Sequence, residues 1–542
     1  MSAALSSVVS LTFFAPSRFD VALLSSLPWV TALLSCALMA TNCRRWFYTW
    51  STLRAIPGPG TDWLPPLFLL SVYWQYRNHL TKSATSVVFR VVRKVCKMYE
   101  GKTFKVYIGT SPIVVLHTPE AAEVLLSAKE NTGKPNSYAF LKSWLGPKNL
   151  LTSKGDPWKS KAKLFKHAFN TDHLESCMAV FNESGEVLEK RIETMASESP
   201  DQPIVCYNNI QNCVLDIIGR ASFGIHLGLQ DGNRKEYARW FNYLTYLLTV
   251  RYFRPWLWIP AFYNATKEGK FWKRTVDNIG KLHLSVIERK KAAIMKRLAD
   301  ERNEDDLDDE LSFPAAVDAG IKRHISAPSS YPLDELEKDA TSVTFAAADS
   351  TSAAMSWTLY LLGLNPDKQA KLQRELDDVL GRGAQQEITT SDLKQLPYLE
   401  CCIKESLRLC PPFPLIGREL DEELIIDGYT VPAGTTCMIN IHSLHRNKEQ
   451  FDDPESYIPE RFLPENCKNM HPFSFIPFSS GVRVCLGQKF VMAEAKVLLA
   501  KLLSKFTVES TLPIEDVKQA YEVVLKARGG LRAWFRKRSD LL

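Results

Sequence analysis

The sequence predicts a mainly α-helical fold with a small β-rich lobe. Helical patterns dominate the first two-thirds of the chain, and the strand patterns are short and few. One long helical pattern runs from Pro332 to Asn365 and predicts a helix over about 333–364. Since a helix rises 1.5 Å per residue, roughly 30 residues span about 45 Å, enough to cross a whole domain. No repeat indicates a second domain, so we predict one folded body over residues 76–542.

Residues 1–55 are predicted to form a membrane anchor. The stretch from Val21 to Ala40 is 20 residues long and uncharged, and Arg44 and Arg45 follow it. This length is enough for a helix to cross a bilayer, so we place the span at about 21–40. A cleaved signal peptide is the alternative, but its apolar core is usually shorter and its positive charges come first. Because positive charge favours the cytosolic side, we expect the rest of the chain in the cytosol.

Residues 56–75 follow the anchor as a proline-rich elbow. The segment Ile56-Pro-Gly-Pro-Gly60 cannot continue a helix, because proline lacks an N–H group and restricts the residue before it. The apolar stretch from Leu64 to Trp74 then either contacts the membrane surface or packs under the fold. The sequence leaves both alternatives open.

The body begins with a predicted hairpin over residues 102–115, and Pro119 then starts a helix. Helical patterns fill most of residues 150–300. An aromatic and proline-rich stretch from Tyr252 to Tyr263 interrupts them. Since Trp and Tyr favour the membrane interface, this stretch either dips into lipid or is a well-packed loop.

Two further segments complete the pass along the chain. The acidic run over residues 299–311 is interpreted as a solvated linker without chemistry. Residues 423–435 alternate apolar and polar side chains around Asp427-Gly428, which is a strong hairpin signal.

Composition excludes several functional classes. Lys and Arg total 67 against 60 Asp and Glu, and this surplus of 7 is too small to indicate a nucleic-acid partner. The twelve cysteines contain no C-x-x-C pair, which argues against a zinc site or a small disulfide scaffold. We therefore expect most cysteines to be reduced core residues.

One cysteine is set differently, in the run Phe478-Ser-Ser-Gly481-Val-Arg483-Val-Cys485-Leu-Gly487, which we call the cysteine loop. Gly481 allows a tight turn, and Gly487 is expected to let the following helix approach closely. The N–H groups at a helix start favour an anion, so we expect a lowered pKa for the Cys485 thiol and a role as an iron ligand. Arg483 suits a haem propionate. A lone cysteine near glycine is usually a core residue, and only the full spacing favours the ligand.

The long helix contains the run Ala346-Ala-Ala-Asp349-Ser350-Thr351. Its three small residues leave space beside the helix for a small ligand, and Ala347 is expected to face the cofactor. Asp349, Ser350 and Thr351 combine an acid with two alcohols, which can relay protons from water. Without the cysteine loop, such a run would most often indicate close packing against a neighbouring helix.

The cysteine loop resembles the haem-binding signature F-x-x-G-x-R-x-C-x-G of the cytochrome P450 monooxygenases. The helix run resembles the oxygen-activation motif of that family, A-G-x-[D/E]-T-T, with Ala347 in place of the glycine and Ser350 in place of the first threonine. The resemblance implies the cytochrome P450 fold, with the thiolate of Cys485 on the haem iron. Serine is less stiff than threonine, so we expect a looser proton relay and more release of peroxide.

Further segments resemble structural parts of this family. Glu405 and Arg408, spaced i and i+3, together with Arg461 in Pro459-Glu-Arg-Phe, look like the Glu-Arg-Arg cluster that braces the cysteine loop through bidentate hydrogen bonds. An isolated pair of this kind would more often be a surface salt bridge of little weight.

Arg418 stands where the family has a propionate-binding arginine, and Trp158 where it has a tryptophan of the haem-side helix. The basic residue usually found four places later is replaced by Ala162, for which Lys161 or Lys163 is a candidate substitute. The same helix carries Lys159, Lys161, Lys163, Lys166 and His167. This charge either attracts an acidic flavoprotein or is a solvated face.

Residues 398–408, 414–418 and 471–478 look like animal members of P450 family four, of the invertebrate type, and the similarity extends from about residue 95 to the end. That group includes many terminal-carbon hydroxylases of fatty acids. Some relatives attach haem covalently through a glutamate where this chain has Ala346, so the resemblance implies noncovalent haem b here and a weaker preference for the chain end.

The resemblance implies an enzyme of the endoplasmic reticulum membrane with a single N-terminal anchor. It would insert one oxygen atom of O2 into a small apolar substrate, with a fatty acid or related lipid as the first expectation. NADPH–cytochrome P450 reductase would supply the electrons, and cytochrome b5 is a second candidate partner. The alternatives are a haem-thiolate isomerase or dehydratase and a haem protein that only senses ligands, which NADPH dependence would distinguish.

Overall fold

A computed structural model describes residues 41, 43–58, 89–108, 111–169, 171–252, 254–299, 315–383 and 386–541. The predicted span at 21–40, most of the elbow over 56–75 and nearly all of the acidic run lie outside these residues. Within the part of the chain that is described, no helix has both the length and the apolar character needed to cross a bilayer.

Helices make up most of the fold, as the sequence predicts. Their bounds are α1 (43–53), α2 (89–98), α3 (Pro119–Ser127), α4 (Lys142–Leu145), α5 (Gly155–Ala168), α6 (Thr171–Glu198), α7 (Cys206–Ile218), α8 (Lys235–Tyr252), α9 (Pro260–Ala265), α10 (Lys267–Ala299), α11 (Val317–Ser326), α12 (Leu333–Leu364), α13 (Pro366–Leu380), α14 (Thr390–Lys394), α15 (Pro397–Leu409), α16 (Ile441–Leu444) and α17 (Gln488–Lys505). Short 3₁₀ turns include Asn136–Leu141, Pro255–Trp258, Pro459–Phe462 and Gly481–Arg483, and Gly219–Phe223 is a π-helical turn.

The strands are short and lie in small sheets. Their bounds are β1 (Phe104–Ile108), β2 (Ser111–Leu116), β3 (Ile204–Val205), β4 (Leu415–Glu419), β5 (Leu424–Ile426), β6 (Tyr429–Val431), β7 (Thr436–Asn440), β8 (Phe506–Ser510), β9 (Gln519–Glu522), β10 (Val524–Ala527) and β11 (Arg532–Lys537). The four-stranded sheet has the order β1-β2-β7-β4, and β3-β11-β8 form a second sheet. The pairs β5-β6 and β9-β10 are isolated antiparallel hairpins.

The local signals in the sequence produce the expected elements. Strands β1 and β2 pair antiparallel, which confirms the hairpin predicted over 102–115. Thr118 caps α3 by accepting a hydrogen bond from the Ala121 amide, as a threonine before the first turn does. Asp427 and Gly428 both have positive φ between β5 and β6, which confirms the second hairpin and explains the Asp-Gly pair.

Helix α12 is the centre of the fold. Pro332 precedes its first turn and Asn365 ends it, as predicted, and most of its side chains are buried. Because it carries small and apolar residues all round, it can pack against neighbours on every side. It contacts α7, α10, α15 and α17. Helix α17, which begins directly after the cysteine loop, packs against α6 and α12, so both candidate motifs are carried by central helices.

Candidate functional site

The cysteine loop is fixed by its own backbone. The Cys485 amide donates to the Phe478 carbonyl oxygen at 3.0 Å, which closes the loop. Gly481 has φ +68°, and a Cβ there would collide with the Leu126 carbonyl of α3. A glycine is therefore required at this position by both backbone angle and space. Phe478 is partly buried against the main core, which ties the start of the loop to the fold.

Two expectations about this loop need correction. A Cβ at Gly487 would meet no described protein atom, so close packing of the helix is not the reason for this glycine. Burial raises the pKa of the Cys485 thiol, and the Gly487 amide lowers it by a smaller amount. The helix start acts in the predicted direction but is outweighed, since desolvation disfavours the charged form. Cys485 is nevertheless an exposed residue, unlike most cysteines among the described residues.

Two arginines, one within the cysteine loop and one on β4, lie close together. Arg483 donates to the Ser153 carbonyl oxygen at 2.9 Å, and its guanidinium lies 4.5 Å from the ring centroid of Trp158. Arg418 is buried and donates to the Ser479 hydroxyl oxygen at 3.3 Å. The structure thus brings together three residues that the sequence resemblance assigns to the haem side: Trp158, Arg418 and Arg483.

The arginine pair fits a dianionic cofactor. Burial, and then the positive charge of Arg418, lower the pKa of Arg483 to about 9. Neither guanidinium forms an ion pair with a carboxylate among the described residues, and the buried Nε of Arg483 has no hydrogen-bond partner there. Since buried like charges destabilise each other, an anion between them would be stabilising. The two propionates of haem are carboxylates, which accept charge-assisted hydrogen bonds from guanidinium groups such as these.

The Glu-Arg-Arg cluster forms only in part as predicted. Arg408 donates two hydrogen bonds of 2.7 Å to the Glu405 carboxylate, and both side chains are fully buried. Arg461 contributes an ion pair, with Nε 3.4 Å from Glu405, but no hydrogen bond from that nitrogen. Its Nη2 donates instead to the Asp453 carbonyl oxygen. The bidentate geometry therefore belongs to Arg408 alone.

The small-residue run on α12 splits into two faces. Ala346, Ala347 and Ser350 are only partly buried, and the Ser350 hydroxyl donates to the Ala346 carbonyl oxygen at 2.6 Å. Thr351 is fully buried, and its hydroxyl has no hydrogen-bond partner among the described residues. The two alcohols are thus not equivalent, and Ser350 shares the more open face with the alanines.

Asp349 lies on the other face of α12, in contacts that the sequence did not predict. Its Oδ1 accepts from the Tyr207 hydroxyl at 2.6 Å and from Gln211 Nε2 at 3.0 Å. Its Oδ2 lies 3.0 Å from the ammonium of Lys526 on β10. The partners come from regions 138 to 177 residues away along the chain, so no local pattern could have identified them.

The lysine-rich helix α5 is less cationic on its surface than its sequence suggests. Lys161 is buried between Asp339 at 2.7 Å and Glu335 at 2.9 Å, both on or near the start of α12. It cannot substitute for the missing basic residue at Ala162. Lys159, Lys163 and Lys166 are exposed. The spacing of these lysines in the sequence did not reveal which one faces inward.

The aromatic stretch after α8 is exposed. Trp256 and Trp258 are 58% and 40% exposed, and Ile259 and Phe262 are exposed beside them. Large apolar side chains on one short segment form a surface patch rather than a fully packed loop.

Comparison with known proteins gives the family. The model of the cytochrome P450 family matches residues 65–531. This chain belongs to the cytochrome P450 family. It is 32% identical over 519 residues to cytochrome P450 4V2 of Mus musculus, covering 95% of each protein. It is 34% identical over 441 residues to the Homo sapiens protein of that name, covering 80% of this chain and 82% of the relative. Cytochrome P450 4c3 of Drosophila melanogaster is 33% identical over 438 residues, 79% of this chain and 80% of the relative.

These matches confirm the predicted fold and the resemblance to P450 family four. As a cytochrome P450, the protein is a monooxygenase, and the family implies thiolate-ligated haem, apolar substrates and redox partner proteins. The donor set described above fits that cofactor: one accessible cysteine on a closed loop and two arginines without carboxylate partners.

Proposed function

We propose that this cytochrome P450 hydroxylates a fatty acid or a related lipid, using NADPH electrons delivered by NADPH–cytochrome P450 reductase. The observation that carries the haem site is the closed cysteine loop beside the arginine pair. The similarity to family four supports the lipid substrate, since that family includes many hydroxylases of fatty acids.

On the haem side, Cys485 is the thiolate ligand of the iron, and Arg483 and Arg418 bind the propionates. Trp158 holds the Arg483 guanidinium by stacking at 4.5 Å. Phe478 and Gly487 shape the two ends of the loop. Thiolate-ligated haem, when bound, supplies the chemistry that activates O2 and inserts one of its atoms into a C–H bond. The protein residues bind and orient the cofactor.

On α12, Ala347 would leave space for the cofactor, and Ser350 offers a hydroxyl at the partly open face of the helix. Asp349 is the acid of the proton relay. Thr351 has a secondary role, because its hydroxyl is fully buried. The Ser350 hydroxyl donates to the Ala346 carbonyl oxygen and can exchange that bond for one to water, which is what a proton relay requires.

Ala346 bears on the regiochemistry. An alanine cannot form the ester through which some family-four relatives attach haem, so the cofactor is held by Cys485 and noncovalent contacts. A less constrained cofactor and pocket favour oxidation at more than one carbon near the chain end.

The location follows from the two apolar segments. The uncharged stretch at 21–40 anchors residues 1–55 in the endoplasmic reticulum membrane, and the exposed patch of Trp256, Trp258, Ile259 and Phe262 rests on the lipid surface. The body over 76–542 faces the cytosol. There, exposed Lys159, Lys163 and Lys166 attract an acidic partner, the reductase first and cytochrome b5 second.

The test is product analysis with isotopically heavy O2. Membranes that contain the protein and reductase are incubated with NADPH and a panel of fatty acids, sterols and terpenoids, and products are identified by mass spectrometry. One heavy oxygen atom in a fatty-acid product, absent with Cys485→Ala, is the expected result. Labelled products from sterols or terpenoids, without any from fatty acids, would overturn the fatty-acid assignment. Normal carbon monoxide binding without any NADPH-dependent product would favour the isomerase or sensor alternatives.

A further inference from the structure

The Asp349 carboxylate is held by two parts of the fold that are far apart in sequence. Tyr207 and Gln211 of α7 donate to Oδ1, and Lys526 of β10 pairs with Oδ2. The Lys526 ammonium also lies 4.7 Å from the ring centroid of Tyr207, so these side chains form one compact group. We call Tyr207, Gln211, Asp349 and Lys526 the Asp349 network.

Lys526 is the cation of this network and the link to its surroundings. The side chain of Lys526 is 14% exposed, whereas that of Asp349 is 2% exposed. Pairing a buried carboxylate with an ammonium compensates part of the desolvation of both groups, so Lys526 helps to hold the Asp349 carboxylate in place. The partial exposure of Lys526 places the cation of the network in contact with solvent.

A second connection reaches α8. Gln211 and Asn242 exchange two amide hydrogen bonds, of 2.9 Å and 2.7 Å. This reciprocal pair fixes the orientation of the Gln211 amide, so that Nε2 is available to donate to Asp349. The carboxylate of Asp349 is therefore oriented by α7, α8 and β10 together.

We propose that Lys526 and Tyr207 are positioning residues for proton delivery, which orient the Asp349 carboxylate and connect it to solvent through the partly exposed side chain of Lys526. This inference rests on the proposed role of Asp349 as the acid of the relay. Neither residue touches the reacting atoms. Without the Lys526 ammonium, the carboxylate loses its cation and its solvent-facing partner, so protons arrive more slowly and more of the consumed O2 leaves as hydrogen peroxide.

A second buried ion pair of α12 provides the control. Lys161 of α5 pairs with Asp339 of α12 at 2.7 Å, compared with 3.0 Å for Lys526 and Asp349, and Asp339 lies ten residues before Asp349. At 1.5 Å per residue the two carboxylates are about 15 Å apart along the helix. Lys161→Met therefore removes a buried cation of the same kind without touching the Asp349 network.

The first test measures hydrogen peroxide released per NADPH oxidised, with a substrate identified as above. Lys526→Met is expected to raise this ratio at least about threefold and to enlarge the solvent isotope effect, a small part of what an acid–base group contributes. Lys526→Arg, which keeps the cation, is expected to restore both values, and Lys161→Met to leave both unchanged. An equal rise with Lys161→Met would show a general effect of destabilisation and overturn the proposal.

The variant Asp349→Asn distinguishes the relay role of Asp349 from the positioning roles of Lys526 and Tyr207. If Asp349→Asn does not raise the peroxide ratio, the relay role of Asp349 fails. If Asp349→Asn raises it but Lys526→Met and Tyr207→Phe do not, the relay stands and the positioning roles fail.

The second test does not depend on turnover. Urea unfolding of wild type, Lys526→Met, Asp349→Asn and the double variant forms a thermodynamic cycle. We expect the unfolding constants to show coupling of about tenfold between the two residues, as for a partly buried ion pair. Additive effects would mean that Lys526 does not hold Asp349 and would overturn the proposal.

Discussion

The cysteine loop and the small-residue run of α12 are supported by different kinds of contact. The cysteine loop closes through its own backbone, by the hydrogen bond from the Cys485 amide, although Gly481 and Arg483 also contact distant residues. The Asp349 side of α12 depends on side chains from α7 and β10. The closure of the cysteine loop is thus local in the sequence, whereas the surroundings of the Asp349 carboxylate come from distant segments. The departures from the family motif at Ala347 and Ser350 lie on the more open face of α12, not on the face where distant side chains hold Asp349.

The largest effect is expected at the cysteine loop. Cys485→Ala removes the thiolate that the family requires, so product formation should fall below detection and the carbon monoxide difference spectrum should lose its thiolate band. Cys467→Ala, a half-buried cysteine in another cluster, should change neither. Labelled product from Cys485→Ala would contradict the assignment of the ligand.

The second largest effect is expected at the buried ion pair of Glu405 and Arg408. Arg408→Met leaves the fully buried Glu405 without its bidentate partner and should lower the free energy of unfolding by about 3–5 kcal/mol, measured by urea unfolding. Arg536→Met breaks an ion pair in which both side chains are more than half exposed, and should change it by less than about 1 kcal/mol. Equal losses in the two variants would mean that burial of the pair does not matter.

Glu494 lies on α17, the helix that follows the cysteine loop, and offers a pH-dependent test of stability there. Burial raises the pKa of Glu494 to about 8, and neither carboxyl oxygen has a hydrogen-bond partner among the described residues. Between its ordinary pKa and about 8, the unfolded state releases this proton and the folded state keeps it. The contribution of Glu494 to the free energy of unfolding is therefore fully present at acidic pH and is lost as the pH rises through that window.

Glu494→Gln removes this dependence. The variant should become more stable than wild type by about 1.4 kcal/mol for each pH unit within the window, reaching a few kcal/mol at its upper end. Urea unfolding at pH 5 and at pH 8 measures the difference, with the haem absorbance as a check on the cofactor. A difference that does not grow with pH would mean that Glu494 is ionised in the folded protein.

The smallest effect is expected on the relay side, where water can replace a lost hydroxyl. Ser350→Ala should lower product formed per NADPH by about tenfold, less than the 10²–10⁴ of an irreplaceable acid–base group. Ser352→Ala removes a buried hydroxyl with the same bond to the carbonyl four residues earlier and should have little effect on that ratio. Equal effects in the two variants would place the role in helix geometry rather than in proton relay.

Most of the fold followed from local signals in the sequence. The proline and asparagine at the ends of α12, the Asp427-Gly428 turn and the Thr118 cap each act within a few residues, so the sequence alone determined those elements. The spacing around Cys485 was informative for the same reason, since the loop closes on itself.

Only the tertiary structure decided which side chains face one another. It buried Lys161 and left its neighbours exposed, separated Ser350 from Thr351, and gave Asp349 its partners Tyr207 and Lys526. It also gave Arg461 an ion pair with Glu405 instead of the predicted bidentate hydrogen bonds. Such outcomes depend on contacts between distant segments and on the desolvation of charges within them, neither of which leaves a periodic pattern in the chain.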